Sequence, residues 1–371
     1  MTVGRQTVAL YGLPIATLML AAILQFGVVS AEHAGVSVRI VLSLLAIGLV
    51  FATIFVALHH AEAIAHHMGE PYGTLVLTFA VTTIEVSVIV SMMLHGDNNP
   101  TLARESVFST VMIVCGGVIG LCLTLGGLRH RHQDLKRQGT NAYLSLLTAL
   151  AVLTLVLPDF TLSVGHGHFS AGQLAFVSVL SVLLYGSFVY AQTGLRKEDF
   201  VEELIEAGNG GGHAGKTAEG GIAANVVLLF IGLAGIVLLA EDIAASVEGT
   251  LVALQVSQAD AIVGAFIAML VLMPESLAAI RASLRNELQR SLNIALGSAC
   301  ATIGLTIPAV AVASLITGRE LTLGLGSGDT VLLLLGLGIS VISFGTGRTT
   351  VLTGLVHLVV FSAYVFLIFF P

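Results

Sequence analysis

Apolar residues run through this chain in blocks of about twenty, parted by short polar stretches, and they do not alternate with polar residues as the strands of a membrane barrel would. Only helices satisfy their own backbone in lipid, so each block is read as a membrane-spanning helix. Eleven spans are predicted: 8 to 30, 37 to 58, 72 to 95, 106 to 127, 142 to 158, 171 to 192, 222 to 241, 250 to 280, 291 to 316, 328 to 344 and 350 to 370. Pro308, Gly318-Arg319-Glu320 and Gly345-Thr346-Gly347-Arg348 are read as ends of helices. The first run, Val8 to Val29, ends in a signal-like Val29-Ser30-Ala31 but exceeds a signal core, and it is read as a retained helix.

Basic residues orient the spans. With the N-terminus inside, Arg5, Arg129, Arg131, Lys136, Arg137, Arg196, Lys197, Lys216, Arg281, Arg285, Arg290 and Arg348 fall on the inner side, and only Arg39, Arg104 and Arg319 fall outside. The long polar stretch from Gly194 to Gly221 then divides the chain into one extra helix (1–35), five helices (36–193), an inner acidic and glycine-rich loop (194–221) and five more helices (222–371). Five is odd, so the halves have inverted topology. The expected fold is all-α and polytopic, with a site near mid-membrane where inverted repeats meet.

Composition narrows the function. The chain is 56% hydrophobic and 10% charged, against about 25% in a soluble domain, and its mean hydropathy is +0.98. A soluble fold is excluded. A net charge of -7 without a basic stripe excludes nucleic acid as a partner. Cys115, Cys122 and Cys300 lie in apolar runs without metal spacing and are read as small core residues.

Two acids stand inside spans. Glu85 follows Gly73 by twelve residues, roughly 18 Å into a hydrocarbon core about 30 Å thick. Glu275, in Met273-Pro274-Glu275, occupies the matching span of the second half, and no Lys or Arg shares either span. A charge at a helix centre costs about 2.5–3.5 kcal/mol, so such an acid persists protonated, paired or bound to a cation. Thr78 and Thr82 share the helix face of Glu85, and Pro274 frees a backbone carbonyl near Glu275. Two carboxylates among hydroxyl and carbonyl oxygens make a hard-oxygen site suited to calcium, or more loosely to sodium.

Other residues divide between functional and bland readings. Gly117-Val118-Ile119-Gly120 overlays Ala301-Thr302-Ile303-Gly304 at an offset that also pairs Ser109 with Asn293; these two and Ser298 are either secondary ligands or packing groups. His59, His60, His66 and His67, with His130 and His132, read more readily as interfacial polar residues than as a proton sensor. No HExxH zinc motif is present. Glu198, Asp199, Glu202, Glu203 and Glu206 flank an apolar stripe in an acidic amphipathic helix, a solvated face or a cation-sensing gate.

Gly69-Glu70-Pro71-Tyr72-Gly73 leading into the Glu85 helix resembles the opening of the first repeat of the calcium/proton exchangers in the calcium/cation antiporter superfamily. The resemblance continues through Leu125-Gly126-Gly127-Leu128-Arg129, Pro274-Glu275, Leu296-Gly297-Ser298-Ala299 and Ser343-Phe344-Gly345-Thr346-Gly347-Arg348, and is nearest to the bacterial ChaA-type branch. It implies eleven helices and exchange of calcium, sodium or potassium for protons, with Glu85 and Glu275 at the family's two essential acids. Where the family pattern has asparagine three residues before each acid, this chain has Thr82 and Leu272, which widens the expected cargo to monovalent ions.

The mechanism expected is that Glu85 and Glu275 hold either a cation or protons, because bare carboxylates together in a low-dielectric cavity repel; only loaded states cross the membrane. No resident cofactor is expected, and the metal bound by Glu85 and Glu275 is transported Ca2+, Na+ or K+. The partners are the lipid bilayer, the cations and protons; further copies of the chain are compatible with the sequence. A bacterial inner-membrane location follows, with the N-terminus cytoplasmic and the C-terminus periplasmic. The competing classes are a passive cation channel and a membrane-bound enzyme, the latter lacking any visible nucleophile or ligand triad.

Overall fold

The computed structural model describes residues 2–25, 36–68, 72–95, 99–162, 165–195, 221–253, 256 and 258–370. Eleven helices account for almost all of them: α1 (Thr2–Gln25), α2 (Val36–Met68), α3 (Tyr72–His95), α4 (Leu102–His130), α5 (Arg137–Phe160), α6 (Ala171–Gly194), α7 (Ile222–Ala253), α8 (Ala259–Leu284), α9 (Leu288–Thr317), α10 (Ser327–Phe344) and α11 (Val351–Phe369). Among the described residues nine helices are long and apolar enough to span a membrane, and α1 and α3 add the apolar segments Leu10–Gln25 and Ala80–Met93. Large apolar side chains lie exposed along their outer faces, among them Leu183, Ile316, Ile342 and Val359, as lipid-facing surfaces require.

Several predicted boundaries move. Helix α2 continues ten residues past 58, through His59, His60 and Glu62, because alanines and polar helix formers extend the helix beyond its apolar run. Helix α7 likewise continues past Glu241 to Ala253, so the predicted start at 250 falls inside it and α8 begins at Ala259. Pro308 does not end its helix. It stands in the first turn after a π-helical segment, Thr302–Thr306, where the missing N–H is tolerated.

The helices form two compact units. In the first, α1, α2, α3 and α7 pack together. Gly235 of α7 abuts the backbone of Leu18, where a Cβ would lie 2.8 Å from its nitrogen, and Gly232 faces Pro14 and Ala57. The pairings Pro14 with Gly232 and Leu18 with Gly235 run in the same sense, so α1 and α7 are parallel. Thr53 and Ala57 approach Gly232 while His60 bonds Asn225, so α2 runs antiparallel to α7, the relation expected of the first helices of inverted halves.

The second unit holds α4–α6 and α8–α11. Helices α4 and α8 are parallel: Thr101 Oγ1 donates to Asp260 Oδ2 at one end (2.9 Å) and Ser283 Oγ to the Cys122 carbonyl at the other (2.6 Å). Both α4 and α9 are interrupted by a π-helical turn, Ile113–Val118 and Thr302–Thr306. Thr302 follows Ile113 by 189 positions and Glu275 follows Glu85 by 190, against the offset of 184 that overlays Gly117 to Gly120 on Ala301 to Gly304. At a glycine within each turn the last helix of the opposite half packs closely: a Cβ on Gly116 would lie 2.9 Å from Phe361 Cβ of α11, and one on Gly304 2.8 Å from Tyr185 Cβ of α6. Glycine at these positions therefore sets the helix separation. Gly116→Val and Gly304→Val should each lower stability by about 1–3 kcal/mol, read as a fall in thermal midpoint in detergent; an unchanged midpoint would show that the helices part freely.

One end of the second unit is sewn together by three connections. The short strands β1 (Gln133–Asp134) and β2 (Arg348–Thr349) pair antiparallel. Buried Gln133 donates to the Ser283 carbonyl (2.9 Å), and Gln289 Oε1 accepts from the Lys136 backbone N–H (2.8 Å). Arg129, Arg131, Lys136, Arg137, Arg281, Arg285, Arg290 and Arg348 flank these connections, gathering eight of the 15 Lys and Arg at one end. The exposed Arg348–Asp134 pair (2.8 Å) contributes little. Thermal melts should therefore show Gln133→Ala costing about 1–3 kcal/mol, from the buried partner left unpaired, and Asp134→Ala less than about 1 kcal/mol. The reverse order would contradict this assignment.

Candidate functional site

Glu85 lies in the buried face of α3, 5% exposed, with Thr82 one turn earlier at 4% and Ile84, Val88 and Ile89 around it. Thr78 precedes it in the same helix, its side chain outside the described residues. Two further acids enter the first unit from α7. Ser91, six residues beyond Glu85, donates to Glu241 Oε2 (2.9 Å), and the neighbouring Asp242 has a buried Oδ2 without a hydrogen-bond partner among the described residues. Sequence reasoning missed this pair because the apolar run stops at Glu241; the signal was the continued helix-forming sequence Ile243-Ala244-Ala245-Ser246-Val247, unbroken before Gly249.

Glu275 belongs to the second unit, in α8 immediately after Pro274. Proline has no N–H, so the Leu270 carbonyl one turn earlier loses its helical donor, while Ser276 Oγ donates to the Leu272 carbonyl (2.7 Å). Glu275 Oε2 is buried and has no partner among the described residues. A buried carboxylate oxygen in an apolar helix is stabilised by a proton or a cation.

Of the residues offered as secondary ligands, Ser109 is buried and accepts from Tyr364 Oη (2.7 Å). Asn293 accepts from Gln289 Nε2 (2.8 Å), and Ser298 is half-buried on α9. Glu198, Asp199, Glu202, Glu203 and Glu206 lie outside the described residues. His60 is buried between Asn225 Oδ1 (2.7 Å) and the Leu10 carbonyl (3.2 Å), and His130 bonds the Leu284 carbonyl (3.0 Å). All three cysteines are buried and free. No group of three metal-ligating side chains occurs among the described residues.

Sequence reasoning also missed an ion pair at the end of the second unit opposite the basic connections. Arg104 donates to Glu105 Oε1 (2.9 and 2.5 Å) and to the Gly324 carbonyl (2.8 Å), with Glu105 buried. Asp159, Asp260 and Asp329 lie within electrostatic range of Arg104 or Glu105.

A helical bundle with a lipid-facing apolar surface and, among the described residues, partnerless carboxylate oxygens within its candidate spans has the parts of a membrane ion transporter. The chain belongs to the sodium/calcium exchanger protein family, whose pattern matches residues 36–194 and 224–370, and its class is the secondary transporters, not the enzymes. The protein y4hA of Sinorhizobium fredii is 42% identical over 333 residues, covering 90% of this chain and 89% of that protein. The sodium-potassium/proton antiporter ChaA of Escherichia coli K12 is 37% identical over 333 residues, 90% of each chain. Among solved structures, the Ca2+/H+ antiporter YfkE superposes with a TM-score of 0.72 at 16% identity, over 98% of this chain and 99% of that one, a likeness of fold.

Proposed function

We propose that the chain is a cation/proton antiporter of the bacterial inner membrane, with Glu85 and Glu275 as its exchange carboxylates. Glu275 Oε2, buried within a candidate spanning helix and without a partner among the described residues, supports this reading most directly. A proton or a cation satisfies it in turn, and an unloaded carboxylate is too costly to carry across. Glu85 and Thr82 supply the corresponding oxygen ligands from α3. The two five-helix halves, 36–193 and 222–371, move around these acids in alternating access.

The cargo is calcium and, with threonine and leucine at 82 and 272, also sodium or potassium. The likeness to a sodium-potassium/proton antiporter favours the monovalent ions as a second reading. The basic end of the second unit supports a cytoplasmic placement of its three connections, hence a cytoplasmic N-terminus and a periplasmic C-terminus.

The test is proton movement in vesicles holding the purified protein under an imposed pH gradient, with calcium, sodium or potassium added in turn. Proton movement that depends on one or more of these cations is expected. Proton movement indifferent to all three would overturn the assignment.

A further inference from the structure

One buried titratable group has no part in the exchange chemistry. His357 of α11 is 1% exposed, and its ring is held at both nitrogens: Nδ1 lies 2.6 Å from the Cys115 carbonyl and Nε2 lies 3.0 Å from Ser343 Oγ. A carbonyl only accepts, so Nδ1 carries the hydrogen and donates. No Asp, Glu, Lys or Arg among the described residues bonds the ring, so its role is one of hydrogen bonding rather than charge pairing.

Cys115 sits within the π-helical turn Ile113–Val118 of α4. Such a turn holds one residue more than an α-helix needs, and it persists only where the surroundings fix it. Here α11 fixes it, approaching through Gly116 and Gly120, where a Cβ would meet Phe361 and Leu358 at 2.9 Å. The other face of the helix pair gives the turn its importance. In the parallel α4–α8 pair Thr101 matches Asp260 and Cys122 matches Ser283, so Cys115 stands level with Glu275. The π turn thus touches α11 and is packed against α8 at the height of the orphaned carboxylate.

We propose that His357 is a positioning residue for transport. Its Nδ1–H holds the Cys115 carbonyl, and with it the π turn of α4, in the arrangement that lets the Glu275 helix pass between loaded states. It touches no cation. Its loss should therefore slow turnover and leave cation binding nearly intact. This inference rests on the antiporter reading.

The test compares His357→Asn, His357→Gln and His357→Leu with wild type in vesicles, measuring cation-dependent proton movement against sodium and against calcium concentration. Asparagine places an amide N–H where Nδ1 stands and can still donate to Cys115; glutamine reaches toward Ser343 instead; leucine does neither. Maximal rate should fall about tenfold in the glutamine and leucine variants, the effect of one buried hydrogen bond on a barrier. The half-saturating cation concentration should stay within about threefold, and asparagine should restore most of the rate. A leucine variant at full rate, an asparagine variant as slow as glutamine, or a change confined to half-saturation would overturn the proposal. Should leucine prevent folding, the asparagine–glutamine comparison decides alone. A wild type without cation-dependent proton movement overturns both readings, whereas an active wild type matched by its variants overturns only this one.

Discussion

Glu275→Gln should stop cation-driven proton movement while leaving the protein folded. The amide keeps the size and shape of the carboxyl but neither binds a cation with charge nor releases a proton. Losing a charged ligand worth about 3 kcal/mol corresponds to roughly a hundredfold fall in exchange. Because Glu275 Oε2 is buried without a partner among the described residues, the neutral isostere removes the cost of burying a charge there and thermal stability should hold or rise. Glu85→Gln should lose exchange in the same way, since Glu85 is 5% exposed on the buried face of α3. The comparison also separates an exchanger from a channel: a pore whose acids only set selectivity would keep a leak conductance in both variants. Retained cation-coupled flux in either variant would remove that acid from the mechanism.

Arg104→Ala should produce the largest loss of stability. The Arg104 and Glu105 side chains are 18% and 8% exposed, and the guanidinium also holds the Gly324 carbonyl ahead of α10. Removing the cation leaves a buried carboxylate facing the like charges of Asp260 and Asp329, a change that costs about 3–5 kcal/mol. Adding Glu105→Gln to Arg104→Ala should recover most of it, because the uncompensated charge is then gone. Thermal melts of the single and double variants measure this; equal midpoints for the two would mean that charge burial is not the cause.

Much of this architecture was legible in the chain. Apolar runs of about twenty residues leave helices as the only spanning element, and Glu85 and Glu275 stood out because nothing basic shares their spans. Helix ends were less legible: His59 to Met68 and Glu241 to Ala253 are polar or mixed, yet composed of helix formers, so hydropathy stops before the helix does. The π turns at Ile113 and Thr302 carry no residue signature of their own. Gly116 and Gly304 become meaningful only once Phe361 and Tyr185 are seen against them. The same holds for Arg104, which reads only as an outer-side basic residue until the Gly324 carbonyl and the buried Glu105 give it a structural task. Tertiary contact, which has no local signal, accounts for each of these.

Obligatory coupling separates an exchanger from a leak, and uphill cation movement reveals it. Vesicles containing the purified protein, with membrane potential clamped and equal cation inside and out, would be given a pH gradient alone, and radiolabelled sodium or calcium followed. Two carboxylates that cross only when loaded predict accumulation of one or both cations above equilibrium, collapsing when the pH gradient is dissipated. Cation that merely equilibrates, at a rate the pH gradient does not change, would contradict exchange and leave a passive conduit in its place.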